Sequence, residues 1–167
     1  LISVYGNFLL LNGTLNGNKE NNVSENDSSV VKMYNEGYFE MDDGVINSYH
    51  NNTLSISKCS YIYLYGGELK NAAEKITDNR SEGSTVWIED NFRGFIYICG
   101  SALYSNAGPC VCGTLKKYDE YEEPEVYIAG GTTINSCTDY GVYCDGYVKL
   151  LLGGKIDVKG KKAGILS

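Results

Sequence analysis

No stretch of this 167-residue chain holds the roughly 20 apolar residues that a helix needs to cross a bilayer. No run of lysine and arginine exists either, and the formal net charge is −7. Nucleic acid and anionic membrane surfaces both demand clustered positive charge, so they are excluded as partners, whereas neutral or cationic ones remain. Apolar residues nowhere recur at the alternating three-and-four spacing of an amphipathic helix, which excludes a helical scaffold. Glutamine is absent, His50 is the one histidine, and there are only two prolines. The chain opens at Leu1 without a methionine or a charged and apolar leader, and is read as a mature or excised piece of a longer protein.

What is present in quantity is glycine, twenty residues, and tyrosine, fifteen, with many asparagines. Glycine and asparagine supply the positive φ of tight corners, so the composition describes a turn-rich β protein. The length fits one domain over residues 1–167, large enough to bury roughly two thirds of its unfolded surface without cross-links. Asn-x-Ser/Thr triplets begin at Asn12, Asn22, Asn26, Asn51 and Asn79 and are read as incidental to an asparagine-rich chain.

Six β-rich runs each end at a glycine: FLLLNGTL, FEMDDGVI, YIYLYGGEL, FIYICGSAL, VYIAGGTTI and KLLLGGKI, anchored at Gly13, Gly44, Gly66, Gly100, Gly130 and Gly154. The anchors lie between 22 and 34 residues apart. Such a period, with insertions tolerated, marks a solenoid in which each coil buries its apolar face only against its neighbours. Within a run the apolar residues alternate, a strand signal. Leu9 and Leu11, Ile62 and Leu64, Ile96 and Ile98, Val126 and Ile128, and Leu150 and Leu152 precede their glycines by four and two residues and are expected to point inward. In the second run Phe39 and Met41 take that role one position out of register, which predicts a one-residue bulge.

A second short strand after the corner carries Leu15, Ile46, Leu69, Leu103, Ile134 and Ile156. A third precedes each run, as ISVY, SVVKM, LSIS, STVWI, PCVC and GVYC, with AGILS opening a seventh coil. Three short strands per turn, glycine or asparagine at the corners and insertions at one corner predict an all-β parallel β-helix of about six coils. The segment from Gly141 to Gly164 is the cleanest coil.

These runs, of the form VYxxGGxxxIxGGxI, resemble the repeats of right-handed parallel β-helix proteins of the pectin-lyase-like fold, particularly those of bacterial surface proteins. The resemblance covers nearly the whole chain, and it implies the right-handed sense. The family includes polysaccharide lyases, hydrolases and esterases beside adhesins and surface arrays that catalyse nothing. AGILS ends without the polar cap that a stacked array needs, in keeping with a segment of a larger secreted or surface protein.

The resemblance lets the family's catalytic motifs be sought. Polygalacturonase-like hydrolysis uses Gly-His-Gly and Arg-x-Lys, and neither occurs. Esterase chemistry in this fold uses glutamines to stabilise an oxyanion, and there are none. A Ca²⁺-dependent lyase needs carboxylates for the ion and a basic side chain to take the proton beside a uronate carboxyl. Glu89, Asp90 and Arg93 in WIEDNFRG, with Asp145, form the minimum set, Arg93 serving as base. The plainer reading is a solvated polar loop.

The acidic insertion YDEYEEPE offers Asp119, Glu120, Glu122 and Glu123 as weak Ca²⁺ ligands, but it lacks the glycine and spacing of a Ca²⁺ loop and reads better as a solvated corner. Among the six cysteines, Cys110, Cys112, Cys137 and Cys144 lack the paired Cys-x-x-Cys spacing of a structural zinc site. Coil alignment puts Cys110 or Cys112 near the column of Cys144, which admits either a cross-coil disulfide or free thiols packed as small hydrophobes.

The tyrosines carry the most information. Tyr63, Tyr97 and Tyr127 precede their glycines by three residues, in the outward register, and Tyr61, Tyr65 and Phe95 extend the same face. With strands about 4.8 Å apart, these rings would form a ladder. It has three readings: rings that stack only on each other, a platform for pyranose rings, or a protein interface. The expected function is a non-catalytic extracellular or cell-surface module, structural or adhesive, without a resident cofactor and with glycan as the ligand of the tyrosine face. The alternative is the Ca²⁺-dependent lyase or an inactive relative of one.

Overall fold

The computed structural model describes residues 2–17, 29–58, 60–74, 83–117 and 123–167. The chain winds through sets of three short strands. The first set is β1 (Ile2–Val4), β2 (Asn7–Leu10) and β3 (Thr14–Asn16), and the second β4 (Val31–Met33), β5 (Tyr38–Met41) and β6 (Val45–Ser48). The third is β7 (Leu54–Ile56), β8 (Tyr61–Leu64) and β9 (Glu68–Asn71), and the fourth β10 (Val86–Ile88), β11 (Phe95–Ile98) and β12 (Ala102–Ser105). Then come β13 (Val111–Leu115), β14 (Glu125–Ile128) and β15 (Thr133–Ser136), followed by β16 (Val142–Gly146), β17 (Lys149–Leu152), β18 (Asp157–Gly160) and a last β19 (Ile165–Leu166).

Every third strand pairs in parallel, so the described strands form three sheets. A seven-stranded sheet runs β1-β4-β7-β10-β13-β16-β19, a six-stranded second sheet runs from β2 to β17, and a six-stranded third sheet runs from β3 to β18. This is a parallel β-helix. A parallel sheet needs one face covered, and here all three sheets turn one face to a shared interior. Ile62, Leu64, Ile96, Ile98, Val126 and Ile128 from the second sheet meet Ile46, Leu69, Leu103 and Ile134 from the third, all fully buried. Each such side chain contributes about 1.5–3 kcal/mol of hydrophobic burial.

Three expectations about register are corrected. Leu9 and Leu11 point outward, 52% and 60% exposed, while Phe8 and Leu10 lie inward beside Phe39 and Met41. β2, β5 and β8 pair without interruption, so the predicted bulge in the second run is absent. The physical reason is that Gly13 and Gly44 align with Gly67, the second glycine of its pair, and not with Gly66: the Val45 N–H donates to Gly13 O at 2.8 Å and the Glu68 N–H to Gly44 O at 2.9 Å. In the last set Val158, not Ile156, continues the inward column beside Ile134.

The corner between the second and third sheets spans three residues in the first four sets and four thereafter, as between Ile128 and Thr133. The insertions divide between the other two corners, before β4 and β10 and before β14, rather than gathering at one. Gly67 shows why the short corner demands glycine. Its φ is +77°, and a Cβ there would stand 2.6 Å from Gly44 O and 2.5 Å from Met41 Cε.

The corner from the third sheet to the next coil is held by a buried polar column, Ser48, Asn71, Ser105 and Ser136, in register on successive strands. The Asn71 amide donates to Asn51 O at 2.5 Å and Ser84 O at 2.9 Å, and its Oδ1 accepts from the Ala73 N–H at 2.9 Å. Ser105 Oγ donates to Gly83 O at 3.1 Å and accepts from the Gly108 N–H at 3.2 Å, and Ser136 repeats this with Gly108 O and the Asp139 N–H. These side chains satisfy main-chain groups that a buried turn would otherwise strand.

Gly67→Ala combines a disfavoured φ with overpacking and should destabilise the fold by about 2–4 kcal/mol. Asn71→Ala, which removes three hydrogen bonds and leaves the buried Ala73 N–H without its acceptor, should cost about 1–3 kcal/mol. Gly6→Ala, with nothing within 4 Å of the added carbon, should change stability by less than about 0.5 kcal/mol. Urea unfolding of the three variants checks all of this, and equal effects would mean the corners are not special.

Candidate functional site

The outer face of the second sheet presents columns of side chains because its strands pair residue for residue. One column runs Tyr38, Tyr61, Phe95, Glu125 and Lys149, and the next Glu40, Tyr63, Tyr97, Tyr127 and Leu151. A third begins past the strand ends with Asp42, Tyr65 and Cys99, where the ladder continues: the Tyr65 N–H donates to Met41 O at 2.9 Å and the Cys99 N–H to Leu64 O at 2.7 Å.

Six rings on this face form one connected network. Tyr38 lies 5.4 Å from Tyr63, which stacks on Tyr65 at 5.8 Å and tilts against Phe95 at 5.9 Å. Phe95 stacks on Tyr97 at 6.2 Å, and Tyr97 meets Tyr65 and Tyr127 edge-on at 5.9 and 5.3 Å. All of these centroid distances fall in the favourable range for aromatic pairs. Tyr61 and Tyr65 remain 50% and 46% exposed. Thus the six aromatic residues singled out in the sequence do lie on one face, and Tyr38 joins them.

An out-of-register second run hides Tyr38 in the sequence; aligning Gly44 with Gly67 places it beside Tyr61. The sequence hides Gly153 as well. A Cβ at Gly153 would stand 2.3 Å from the Tyr127 hydroxyl, so this glycine leaves the room into which that ring extends.

Charge is distributed unevenly over the face. At one end the Tyr38 hydroxyl donates to Glu40 Oε2, and Glu40 and Asp42 both lie close enough to act electrostatically on Tyr65. No lysine or arginine pairs with Glu40 or Asp42 among the described residues. At the other end Glu125 is neutralised by Lys149 Nζ at 2.6 Å. The hydrogen bond to the Glu40 carboxylate, then loss of solvent and the negative charge of Glu40, push the Tyr38 phenol up to about 12. Tyr97 is also raised, first by its hydrogen bond with Cys99, and Tyr65 first by loss of solvent.

The lyase candidates are differently placed. Glu89 pairs with Lys32 at 3.4 Å and Asp90 with Lys116 at 2.6 Å. Asp145, exposed, lies beside Thr114, with β13 between its strand and β10. The Arg93 N–H donates to Lys58 O at 3.0 Å, in the turn before β11. Among the described residues no three His, Cys, Asp or Glu side chains gather as a metal site would require. Asp119, Glu120 and Glu122 lie outside the described residues, and Glu123 is exposed.

No disulfide joins Cys99, Cys110, Cys112, Cys137 or Cys144, and Cys59 lies outside the described residues. Cys144 sits beside Gly113, so strand alternation turns it to the interior while Cys112 takes the outward register. Burial pushes the Cys110 and Cys144 thiols up to about 12, which makes them poor nucleophiles.

A phenol whose folded pKa is raised stabilises the fold fully below its ordinary value of 10.0, and that contribution is lost as pH rises through about 12. A tyrosine titration followed by NMR should therefore show the Tyr38 phenol titrating late, with Tyr65 and Tyr97 shifted in the same direction. Glu40→Gln should return Tyr38 towards 10.0, and an unchanged Tyr38 phenol would contradict the assigned hydrogen bond. No protein-family model, no curated protein and no solved structure matches this chain.

Proposed function

We propose that this chain is a non-catalytic extracellular or cell-surface β-helix module that binds glycans on the aromatic face of its second sheet. The single observation that carries this reading is the connected network of Tyr38, Tyr63, Tyr65, Phe95, Tyr97 and Tyr127 on the outside of a parallel sheet. Strands recur about every 4.8 Å, close to the length of one sugar in an extended glycan, so rings on successive strands can meet successive pyranoses. Their apolar faces supply contact area, and the phenol hydroxyls supply hydrogen bonds at its edge. Mutual stacking of the rings holds the platform rigid before ligand arrives, which lowers the entropy lost on binding.

The right-handed sense and a kinship with pectin-lyase-like surface proteins belong to the same proposal, supported by the three parallel sheets. The lyase alternative would require Glu89 and Asp90 to leave Lys32 and Lys116 before holding Ca²⁺.

Affinity electrophoresis through gels containing plant or host polysaccharides, with and without Ca²⁺, tests the reading. Retardation is expected on at least one intact polymer, weakened about tenfold by Tyr97→Ala or Tyr127→Ala. Shortening of an acidic polymer would instead support the lyase, and the absence of both retardation and cleavage would sink the glycan reading.

A further inference from the structure

We propose that Glu40 and Asp42, set among Tyr38, Tyr63 and Tyr65, make this face select glycans bearing free amino groups, such as glucosamine units, over N-acetylated or uronate glycans. The inference rests on the glycan reading above and names its ligand class.

The register puts the two carboxylates inside the platform rather than beside it. Glu40 occupies the same column as Tyr63, Tyr97 and Tyr127, on the strand next to Tyr63. Asp42 continues the same strand into the column of Tyr65. A sugar stacked on Tyr63 and Tyr65 therefore has carboxylates at its border on the side of β5. The Tyr38 hydroxyl donates to Glu40, which fixes that carboxylate among the rings.

An ammonium group gains twice at such a place. It pairs with a carboxylate, and it lies over or beside phenol rings whose π faces are negative. The charge is available because neither Glu40 nor Asp42 is matched by a lysine or arginine among the described residues, unlike Glu125, Glu89 and Asp90 elsewhere. The whole chain, at −7, attracts cations at longer range. The same field opposes uronates, since bringing a carboxylate to Glu40 and Asp42 places like charges together. An N-acetylated sugar would stack on the rings but leave the carboxylates without a cation.

The test compares a glucosamine hexamer, its N-acetylated form and a galacturonate hexamer, each titrated calorimetrically at about pH 5.5, above the ordinary carboxylate range and low enough to protonate sugar amines. The wild type should bind the amino oligomer about tenfold more tightly than the acetylated one, and the uronate least. Glu40→Gln with Asp42→Asn should erase the preference while retaining the acetylated oligomer, which also shows that the variant is folded. Glu74→Gln with Asp157→Asn removes the same charge away from the platform and should leave the preference intact.

Equal affinity for the amino and acetylated oligomers would overturn the inference and leave the glycan reading standing. Binding of none of the three, together with no retardation on the polysaccharide gels, would remove both. A lysine decapeptide that binds as tightly as the amino oligomer, insensitive to Tyr97→Ala, would reduce the effect to charge attraction and overturn the inference as well.

Discussion

Main-chain hydrogen bonding between one coil and the next is the constraint on which the other features depend. Each strand donates to and accepts from strands 20 to 40 residues away, as where Val86 meets Leu54 and Val111. Once the β5–β8 and β8–β11 registers are set, Phe39, Ile62 and Ile96 must share one inward column and Tyr38, Tyr61 and Phe95 one outward column. Core and surface are therefore consequences of the same ladder. A slip of one residue would exchange them completely.

The three corners solve different problems with different residues. Between the second and third sheets the backbones approach so closely that a side chain at Gly67 would strike the coil beneath. Between the third sheet and the next coil the turn is buried, so Ser48, Asn71, Ser105 and Ser136 complete its hydrogen bonding. The insertions fall at this corner and at the one before β14, while the corner between the second and third sheets stays short. Corners of only three or four residues leave the second and third sheets little freedom to move relative to each other.

The aromatic face is stabilising and exposed at once. Stacked and edge-on contacts hold the rings against one another, yet Tyr61 and Tyr65 keep half their surface in solvent. Its charge is polarised: the end near β5 carries Glu40 and Asp42, while the end near β17 is neutralised through Glu125 and Lys149. The two ends of the face are therefore distinct electrostatic environments.

Much of this was legible in the sequence because it is local. Alternation in YIYLYGG and FIYICG determined that these segments are strands with Ile62, Leu64, Ile96 and Ile98 on one side and tyrosines on the other, since side chains alternate whatever the strand pairs with. The recurring glycines likewise announced corners. Which residues become neighbours was a matter for the tertiary structure alone. The identical-looking corners of Gly13, Gly44 and Gly66-Gly67 admit two alignments, and local sequence does not distinguish them; interstrand hydrogen bonds and the burial of Phe39 with Ile62 do. That choice turned Leu9 and Leu11 outward and brought Tyr38 and Glu40 to the platform. The sequence by itself determined what each strand carries. Packing between coils decided what stands beside it, because register is a property of two chain segments and is encoded fully in neither.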